Sequence, residues 1–459
     1  MDARDDLPPL RGHQNPLDGI RALAAFGVLV LHVAGATGAA YQDSLFSWLL
    51  SRGDAGVAVF FTLSGLLLYR PWAVALVYGG PAPATRDYLW RRALRVLPAY
   101  WVAIVVGLLL FSPEHVRSVG TWVQWLLLVQ IYNPDPWWTG TGPEGLYQMW
   151  TLPVEAAFYL ALPLIALVVA AVAARGDDPA RRAGRALWTL TALFAISLVF
   201  VFFTFYPEWR PDFGLYLPRY LIWFAPGMML AVLVAWANAE TGVYTPIRRL
   251  CRTVASSAGL CWAVAAIAYL VASTELTGSR SVGFDAFWPA MFRTVLYTVI
   301  ALFVVAPFAL GPGGEQGPLG RVVGGPVMRF LGRISYGVFL WHTIVIALAS
   351  RWLDVPRPGG GFWPALVVVT ALSVAVATAC YYGIERPARR LGRRRRAVAD
   401  REPQAGGDGD EGHDGGQREE GGHEVGDDLT GAAPQQGEGE HADAGEQESP
   451  GREGQQTAH

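Results

Sequence analysis

The sequence contains no lysine and few charged residues of either sign. All 36 basic side chains are arginine, and charged residues make up 16% of the 459 residues, whereas 52% are hydrophobic. Many segments approach or exceed the roughly 18–20 apolar residues that cross a bilayer. The composition therefore excludes a soluble domain with one large core and predicts an all-α polytopic membrane protein.

Cysteine is also scarce. Cys251, Cys261 and Cys380 are scattered and show neither a CxxC motif nor the spacing of metal ligands. This excludes a disulfide framework, and we interpret all three as packing residues and predict no metal site. We also expect no cleavable leader, because the first apolar segment is too long for one and is expected to remain as an anchor.

Ten apolar segments have the length and composition of transmembrane helices. They lie at residues 17–36, 55–77, 97–112, 150–174, 187–206, 218–237, 255–273, 289–310, 334–352 and 363–383. A shorter apolar stretch at residues 121–132 is followed by prolines. If this stretch crossed the membrane, the arginine-rich loop at residues 175–185 would lie outside the cell, against the charge rule. We therefore predict one short re-entrant or interfacial helix there.

Arginines accumulate in alternate loops of this arrangement. They precede the third, seventh and ninth spans and follow the fourth and tenth, whereas the other loops hold isolated cases such as Arg52, Arg210 and Arg280. Short cytoplasmic loops of membrane proteins are enriched in arginine. We therefore expect a cell-membrane protein with both termini in the cytoplasm.

Three regions follow from the composition. Residues 1–13 are predicted to be an N-terminal cytoplasmic segment, and residues 14–390 form the transmembrane domain. Residues 391–459 begin with a basic juxtamembrane stretch and continue as a tail rich in Gly, Glu, Asp, Gln and His. The tail shows no apolar periodicity, so we expect it to be disordered.

An imidazole lies deep inside the first span. Arg21 precedes His32 by eleven positions, close to three helical turns, so both side chains share one helix face about 16 Å apart along the axis. Ionisable groups at such depth usually face the bundle interior or a wet cavity. This makes both residues catalytic candidates, with a structural hydrogen bond between helices as the alternative for His32.

A carboxylate follows Trp150 near the start of the fourth span. An unpaired carboxylate at the depth of Glu155 is costly. A pair between His32 and Glu155 would relieve that cost and orient the imidazole as a general base. Asp18 is a second candidate for orienting His32, and a purely structural Glu–His hydrogen bond is the alternative.

Polar and small residues mark two further spans as possible site linings. Ser64 precedes Gly65 in the second span, where close helix packing is the default explanation. Ser335, Tyr336 and His342 lie in the ninth span, and His342 is expected near the middle of the membrane. For each of these residues, a role in the site and a role in helix packing remain alternatives.

Two arginines three positions apart precede the third span. Arg92 and Arg95 share one helix face and suit bidentate binding of phosphate. The alternative is that they follow the charge rule for cytoplasmic loops and contact lipid phosphates.

Six features occur together in one order along the chain. They are Arg21-x10-His32, GVAVFFTLSG, the Arg92 and Arg95 pair, WTLPVE ending in Glu155, ISYGVFLWH ending in His342, and YGIERP. With these features the chain resembles the acyltransferase 3 family of multi-pass membrane O-acyltransferases over roughly residues 14–390.

The resemblance implies transfer of an acyl group, most often acetyl, from acyl-CoA to a hydroxyl of a carbohydrate, cell-envelope glycan or glycosylated small molecule. Arg21 and His32 match the essential pair of the family, Glu155 its acidic residue, and Arg92 and Arg95 its cytoplasmic arginines. Acyl-CoA is then a co-substrate, with no tightly bound cofactor. The expected partners are acyl-CoA, the hydroxylated acceptor and the bilayer, without nucleic acid, and no protein partner is identified.

The expected mechanism has neutral His32 remove the proton of the acceptor hydroxyl, with an acyl-histidine intermediate as a variant. The rival hypothesis is a proton-coupled transporter or exporter of a sugar, lipid or small metabolite, which also suits buried His and Glu. The two halves of the sequence show no inverted repeat, which favours the enzyme.

Overall fold

The structure, a computed structural model, describes residues 7–10, 12, 14–242, 244–280, 286–312, 317–356, 359 and 361–391. Within these residues there are fourteen α-helices and no strand. The predicted disordered tail from residue 392 onward lies outside the described residues. So does most of the predicted N-terminal segment, which is described only at residues 7–10 and 12.

The helices are numbered in chain order. They are α1 Asn15–Thr37, α2 Leu45–Leu50, α3 Ala55–Tyr78, α4 Thr85–Phe111, α5 Val119–Leu126, α6 Thr151–Ala173, α7 Pro179–Phe205, α8 Leu217–Ala239, α9 Pro246–Ser256, α10 Ala258–Ala272, α11 Phe287–Ala309, α12 Gly317–Val323, α13 Pro326–Leu353 and α14 Phe362–Cys380. In the described residues, nine helical segments are long and apolar enough to cross a membrane, or ten if the bent pair α9 and α10 is one span. The predicted all-α, multi-pass membrane fold is confirmed.

The seventh span differs from the straight helix predicted at residues 255–273. α9 and α10 meet at an angle of 70°, and the 15 residues of α10 reach only about 22 Å at 1.5 Å per residue. The break falls at Ser257, next to Ser256, whose hydroxyl donates to the carbonyl of Thr253. Serine side chains that bond to the local backbone favour such bends.

The short apolar stretch at residues 121–132 does not span the bundle. It forms α5, which has eight residues, and a 3₁₀ turn, Gln130–Tyr132. Tyr100 and Trp101 of α4 hold the end of α5 by donating to the carbonyls of Trp125 and Leu126 at 2.6 and 2.9 Å. The prediction of one short non-spanning helix is confirmed by this length.

Consecutive spans alternate in direction, so the bundle has two ends. We name the end where α1 begins and α3 ends the arginine-rich end, and the other the opposite end. The arginine-rich end carries Arg86, Arg91, Arg92, Arg95, Arg175, Arg181, Arg182, Arg185, Arg248, Arg249, Arg252, Arg321, Arg329 and Arg333. Its assignment to the cytoplasm remains a prediction from the charge rule.

Four helices form the inside of the bundle. In the most apolar stretch of each span, 83% of the residues are buried for α8 and 78% for α13, but only 22% for α7. α1 packs against α13, and α3 packs against α8. Small residues permit this approach, because an added Cβ at Gly65 or Gly227 would overlap a backbone carbonyl of the facing helix. The packing role predicted for Gly65 is thereby confirmed.

Gly227 gives a test of this contact. Replacing it by Ala places a methyl group against the carbonyl oxygen of Thr62 in α3, so α3 and α8 must move apart. We expect a loss of about 1–3 kcal/mol, measured as a lower midpoint of thermal unfolding in detergent. Gly259→Ala is the matched control, since an added Cβ there meets no atom within 4 Å. Equal effects of the two substitutions would contradict the close contact.

Candidate active site

Candidate site residues line two cavities in the described part of the bundle. The larger has a volume of about 290 Å³, and we name it the arginine-side cavity because Arg21, Arg92 and Arg95 line it. The smaller has a volume of about 120 Å³, and we name it the histidine cavity because His32 lines it. α1 therefore contributes one ionisable side chain to each cavity.

The two cavities are separated by a wall of three side chains. Val57 of α3, Thr151 of α6 and Phe339 of α13 line both of them. Two of these residues are apolar and the third is small. The two cavities therefore adjoin each other at these three side chains.

Guanidinium groups dominate the charge of the arginine-side cavity. Arg92 and Arg95 come from the first half of α4, and both line the cavity as their three-residue spacing predicts. Arg21 forms an ion pair with Asp18 one turn earlier, with 3.0 Å between Nη1 and Oδ1. Glu155 is the other lining carboxylate among the described residues, so the described lining of this cavity holds three arginines and two carboxylates.

The predicted pair between His32 and Glu155 is wrong. Glu155 lies on the arginine-side cavity, where Oε1 accepts hydrogen bonds from Ser64 at 2.8 Å and from Tyr159 at 2.6 Å. Asp18 does not orient His32 either, because it pairs with Arg21. Thr151, four residues earlier on nearly the same face of α6, lines both cavities, whereas Glu155 lies about 6 Å further along the helix and lines only the arginine-side cavity.

His32 pairs instead with the second buried imidazole. Nδ1 of His32 lies 2.9 Å from Nε2 of His342, which joins α1 to α13. The His342 side chain is fully buried, and its Nδ1 lies 3.0 and 2.9 Å from the carbonyl oxygens of Val338 and Phe339. Tyr147 packs edge-on against the His32 ring, with 5.1 Å between ring centres.

These contacts determine which ring nitrogens carry protons. Carbonyl oxygens only accept, so Nδ1 of His342 must be the donor to Val338 and Phe339. In the neutral ring, Nε2 of His342 is then an acceptor, and Nδ1 of His32 must donate to it. The remaining nitrogen of a neutral His32, Nε2, keeps its lone pair and is able to take a proton.

The other predicted site residues divide between the two cavities. Ser64, Ser335 and Tyr336 line the arginine-side cavity, and the hydroxyls of Ser335 and Tyr336 donate to the carbonyls of Gly332 and Val96. Trp150 lines the histidine cavity together with His32. His342 lines neither cavity and touches the site through His32.

The sequence interpretation missed two arginines in the histidine cavity. Arg219 is the third residue of α8 and Arg293 the seventh of α11, and both are buried. The signal was present, because an ionisable residue inside an apolar span indicates a functional site by default. Asp54, Gln148 and Tyr159 were also missed, and Tyr159 could have been found from its i+4 spacing to Glu155.

The tautomers of the two histidines can be measured. In ¹⁵N spectra of the histidine-labelled protein above pH 7, we expect His32 and His342 to be protonated at Nδ1 and unprotonated at Nε2, because the chain of contacts ends on carbonyl oxygens. The variants His32→Gln and His342→Gln assign the two signals among the eight histidines. A proton on Nε2 of His32 would contradict this order of donors and acceptors.

The fold and these cavities define a multi-pass membrane protein with a polar site enclosed by its helices. The chain belongs to the acyltransferase 3 family, whose model, described as an acyltransferase domain, matches residues 15–382. It is 25% identical over 391 residues to the putative peptidoglycan O-acetyltransferase YrhL of Bacillus subtilis, a match that covers 82% of this chain and 55% of that protein.

The peptidoglycan O-acetyltransferase OatA of Listeria monocytogenes is 24% identical over 394 residues, covering 82% of this chain and 56% of OatA. The chain thus spans about half the length of the curated relatives it matches. No solved structure matches the chain.

Proposed function

We propose that the protein is a membrane O-acetyltransferase that moves an acetyl group from acetyl-CoA to a hydroxyl of a cell-envelope glycan. The family supports acyl transfer, and the names of the two relatives support acetyl as the group and a glycan as the acceptor. The observation that carries the proposal is the His32–His342 hydrogen bond, which leaves one nitrogen of His32 free to act as a base.

The donor side is the arginine-side cavity. Arg92 and Arg95 would bind the phosphates of acetyl-CoA, since guanidinium groups match phosphate in a bidentate manner. A volume of about 290 Å³ lies at the lower end for pockets of small ligands. The pantetheine arm and thioester would therefore occupy the cavity, while the nucleotide stays at the arginine-rich end, which we infer to be cytoplasmic.

The chemical step would take place at the wall shared by the two cavities. Nε2 of His32 removes the proton of the acceptor hydroxyl as the oxygen attacks the thioester carbonyl. The C–S bond then breaks, and the CoA thiolate takes the proton back from His32, which yields an ester and free CoA. His342 is a positioning residue, because its Nε2 accepts the Nδ1 proton of His32 and so stabilises the imidazolium that forms.

The rival function, a proton-coupled transporter, fits the observations less well. Membership of an acyltransferase family favours the enzyme. Glu155, the carboxylate that the sequence pairs with His32, is held by Ser64 and Tyr159 on the other cavity. Release of CoA from acetyl-CoA in detergent separates the two, because a transporter needs a sealed vesicle.

His32→Ala tests the base. We expect acetyl transfer to fall by about 10²–10⁴-fold, measured as CoA release with purified protein in detergent, while the elution volume in gel filtration stays that of the wild type. Transfer at the normal rate in the folded variant would rule out this mechanism.

The paired imidazole is tested in the same assay. His342→Ala should lower kcat with little change in the KM for acetyl-CoA, because the residue acts only through His32. In His342→Gln the amide oxygen can still accept the Nδ1 proton, so this variant should retain more activity than His342→Ala. Equal loss in both variants would indicate a packing role alone.

Arg92→Gln combined with Arg95→Gln tests the donor side. The KM for acetyl-CoA should rise about tenfold or more, since each charge-assisted contact to phosphate is lost. Acetyl-pantetheine, which has no phosphate, should show no such rise. Arg91→Gln is the matched control, because Arg91 is an exposed neighbour that does not line the cavity. An unchanged KM in the double variant, or the same rise for Arg91→Gln, would argue against phosphate binding.

A further inference from the structure

Gln148 lines the histidine cavity beside the histidine pair. Its Nε2 donates to the carbonyl oxygen of Leu340 at 3.0 Å, and Leu340 precedes His342 by two positions in α13. The residue before it, Tyr147, packs edge-on against the His32 ring. The Gln148 amide and the His32 imidazole are therefore anchored to the same turn of α13 and line one cavity.

The orientation of this amide follows from its anchor. A carbonyl oxygen only accepts, so the amide atom that faces Leu340 must belong to the NH2 group, and the other atom is Oε1. Gln148 is 2% exposed, and its Oε1 is buried without a hydrogen-bond partner in the described part of the chain. Turning the amide would place two oxygens against each other. Oε1 thus stays a buried acceptor that lacks a donor.

The hydroxyls of the cavity lining are engaged elsewhere. Five described lining residues carry a hydroxyl, and each of these hydroxyls donates to an oxygen other than Oε1 of Gln148. The donors are Thr141, Thr151, Tyr220, Thr294 and Tyr297, and the acceptors are the carbonyls of Tyr147, Gln148, Gly214 and Ala290 and the carboxylate of Asp54. A buried acceptor without a donor is costly. A donor group brought by a ligand would remove that cost.

Aromatic rings form a continuous surface in the same cavity. Tyr220 and Trp223 direct their polar groups to the backbone, donating to the carbonyls of Gly214 and Thr294. What such rings offer a ligand is their apolar faces, which suit the C–H face of a sugar ring. We name this set the aromatic surface; its members are Trp150, Tyr220, Trp223 and Tyr297, with 5.3, 5.0 and 6.0 Å between successive ring centres.

From these groups we propose that Gln148 is a specificity-determining residue for the acceptor sugar. Its Oε1 accepts a hydrogen bond from a second donor group of the acceptor ring, an O–H or an amide N–H. The reacting hydroxyl meets Nε2 of His32, and the aromatic surface holds the ring. The proposal rests on the proposed function for the role of His32. It adds the contact that selects the acceptor, on which the comparisons are silent.

Binding without turnover tests the second donor group. The full chain in lipid nanodiscs is titrated, without acetyl-CoA, with methyl N-acetyl-β-glucosaminide, a neutral sugar that offers both kinds of donor. Four derivatives are compared with it, each lacking the acetamido group or the hydroxyl at position 3, 4 or 6. We expect the derivative that lacks the group bound by Gln148 to bind about tenfold or more weakly, because Oε1 then stays unpaired. Its identity separates a hydroxyl from the acetamido N–H.

Gln148→Leu assigns the effect to this residue. Leucine has no acceptor, so the weakened derivative and the parent sugar should bind this variant with similar affinity. A purely structural role would instead lower the affinity for every sugar by the same factor, because only a direct contact couples the residue to one group of the ligand. Gln130→Leu is the matched control, since Gln130 is buried to the same extent but does not line the cavity. It should keep the full difference between the sugars.

Gln148→Glu separates lost recognition from lost folding. In its protonated form the side chain can donate to the Leu340 carbonyl with one oxygen and accept with the other, so the difference between the sugars should persist. Three results would overturn the proposal: equal affinity of the wild type for all five sugars, binding of none of them, or a difference that survives unchanged in folded Gln148→Leu. The first two need no variant.

Acetyl transfer is measured separately with the sugars that bind. Binding with the expected dependence on Gln148 but without CoA release would contradict the proposed function and leave the assignment of Gln148 intact. CoA release with the same KM for the parent sugar and all derivatives that are acetylated would do the reverse.

Discussion

The hydrogen bond between His32 and His342 is the interaction on which the rest of the site depends. It joins α1 to α13 at 2.9 Å, and its direction is fixed by two backbone carbonyls of α13, which can only accept. Helix carbonyls cannot rotate without breaking the helix, so this anchor holds both rings in one tautomer. A carboxylate in the place of His342 would do the same with an added charge, which is expensive at this depth. A second neutral imidazole positions the base without that charge.

The close approach of the helices makes this bond possible. An added Cβ at Gly332 of α13 would overlap the backbone of Asp18 in α1, so the two helices meet at backbone distance about three to four turns from the histidines. The small residues between α3 and α8 have the same effect on the other side of the site. Small residues thus bring the four inner helices together, and the polar side chains between them enclose two cavities behind a single layer formed by Val57, Thr151 and Phe339.

The sequence predicts the spans well because length and apolar composition decide them. It also predicts the shared face of Arg21 and His32, since a helix fixes the angle between two of its own residues. It does not predict the partner of either residue, because a partner depends on how each helix is rotated and displaced against its neighbours. Glu155 illustrates the failure, because its carboxylate accepts hydrogen bonds from Ser64 and Tyr159 and lines a different cavity from His32. The bend at Ser257 is missed for a related reason, since a run of apolar residues looks the same whether its helix is straight or broken.

The distribution of charge separates two tasks within one bundle. Arginines that follow the charge rule cover one end of the bundle, and a few of them line the arginine-side cavity. The same arginines can therefore orient the protein in the membrane and bind an anion. Arg219 and Arg293 cannot be explained in this way, because they lie inside spans near the opposite end, where the rule favours no arginine. They line the histidine cavity together with His32, so the positive charge at that end of the site does not come from the topology of the chain.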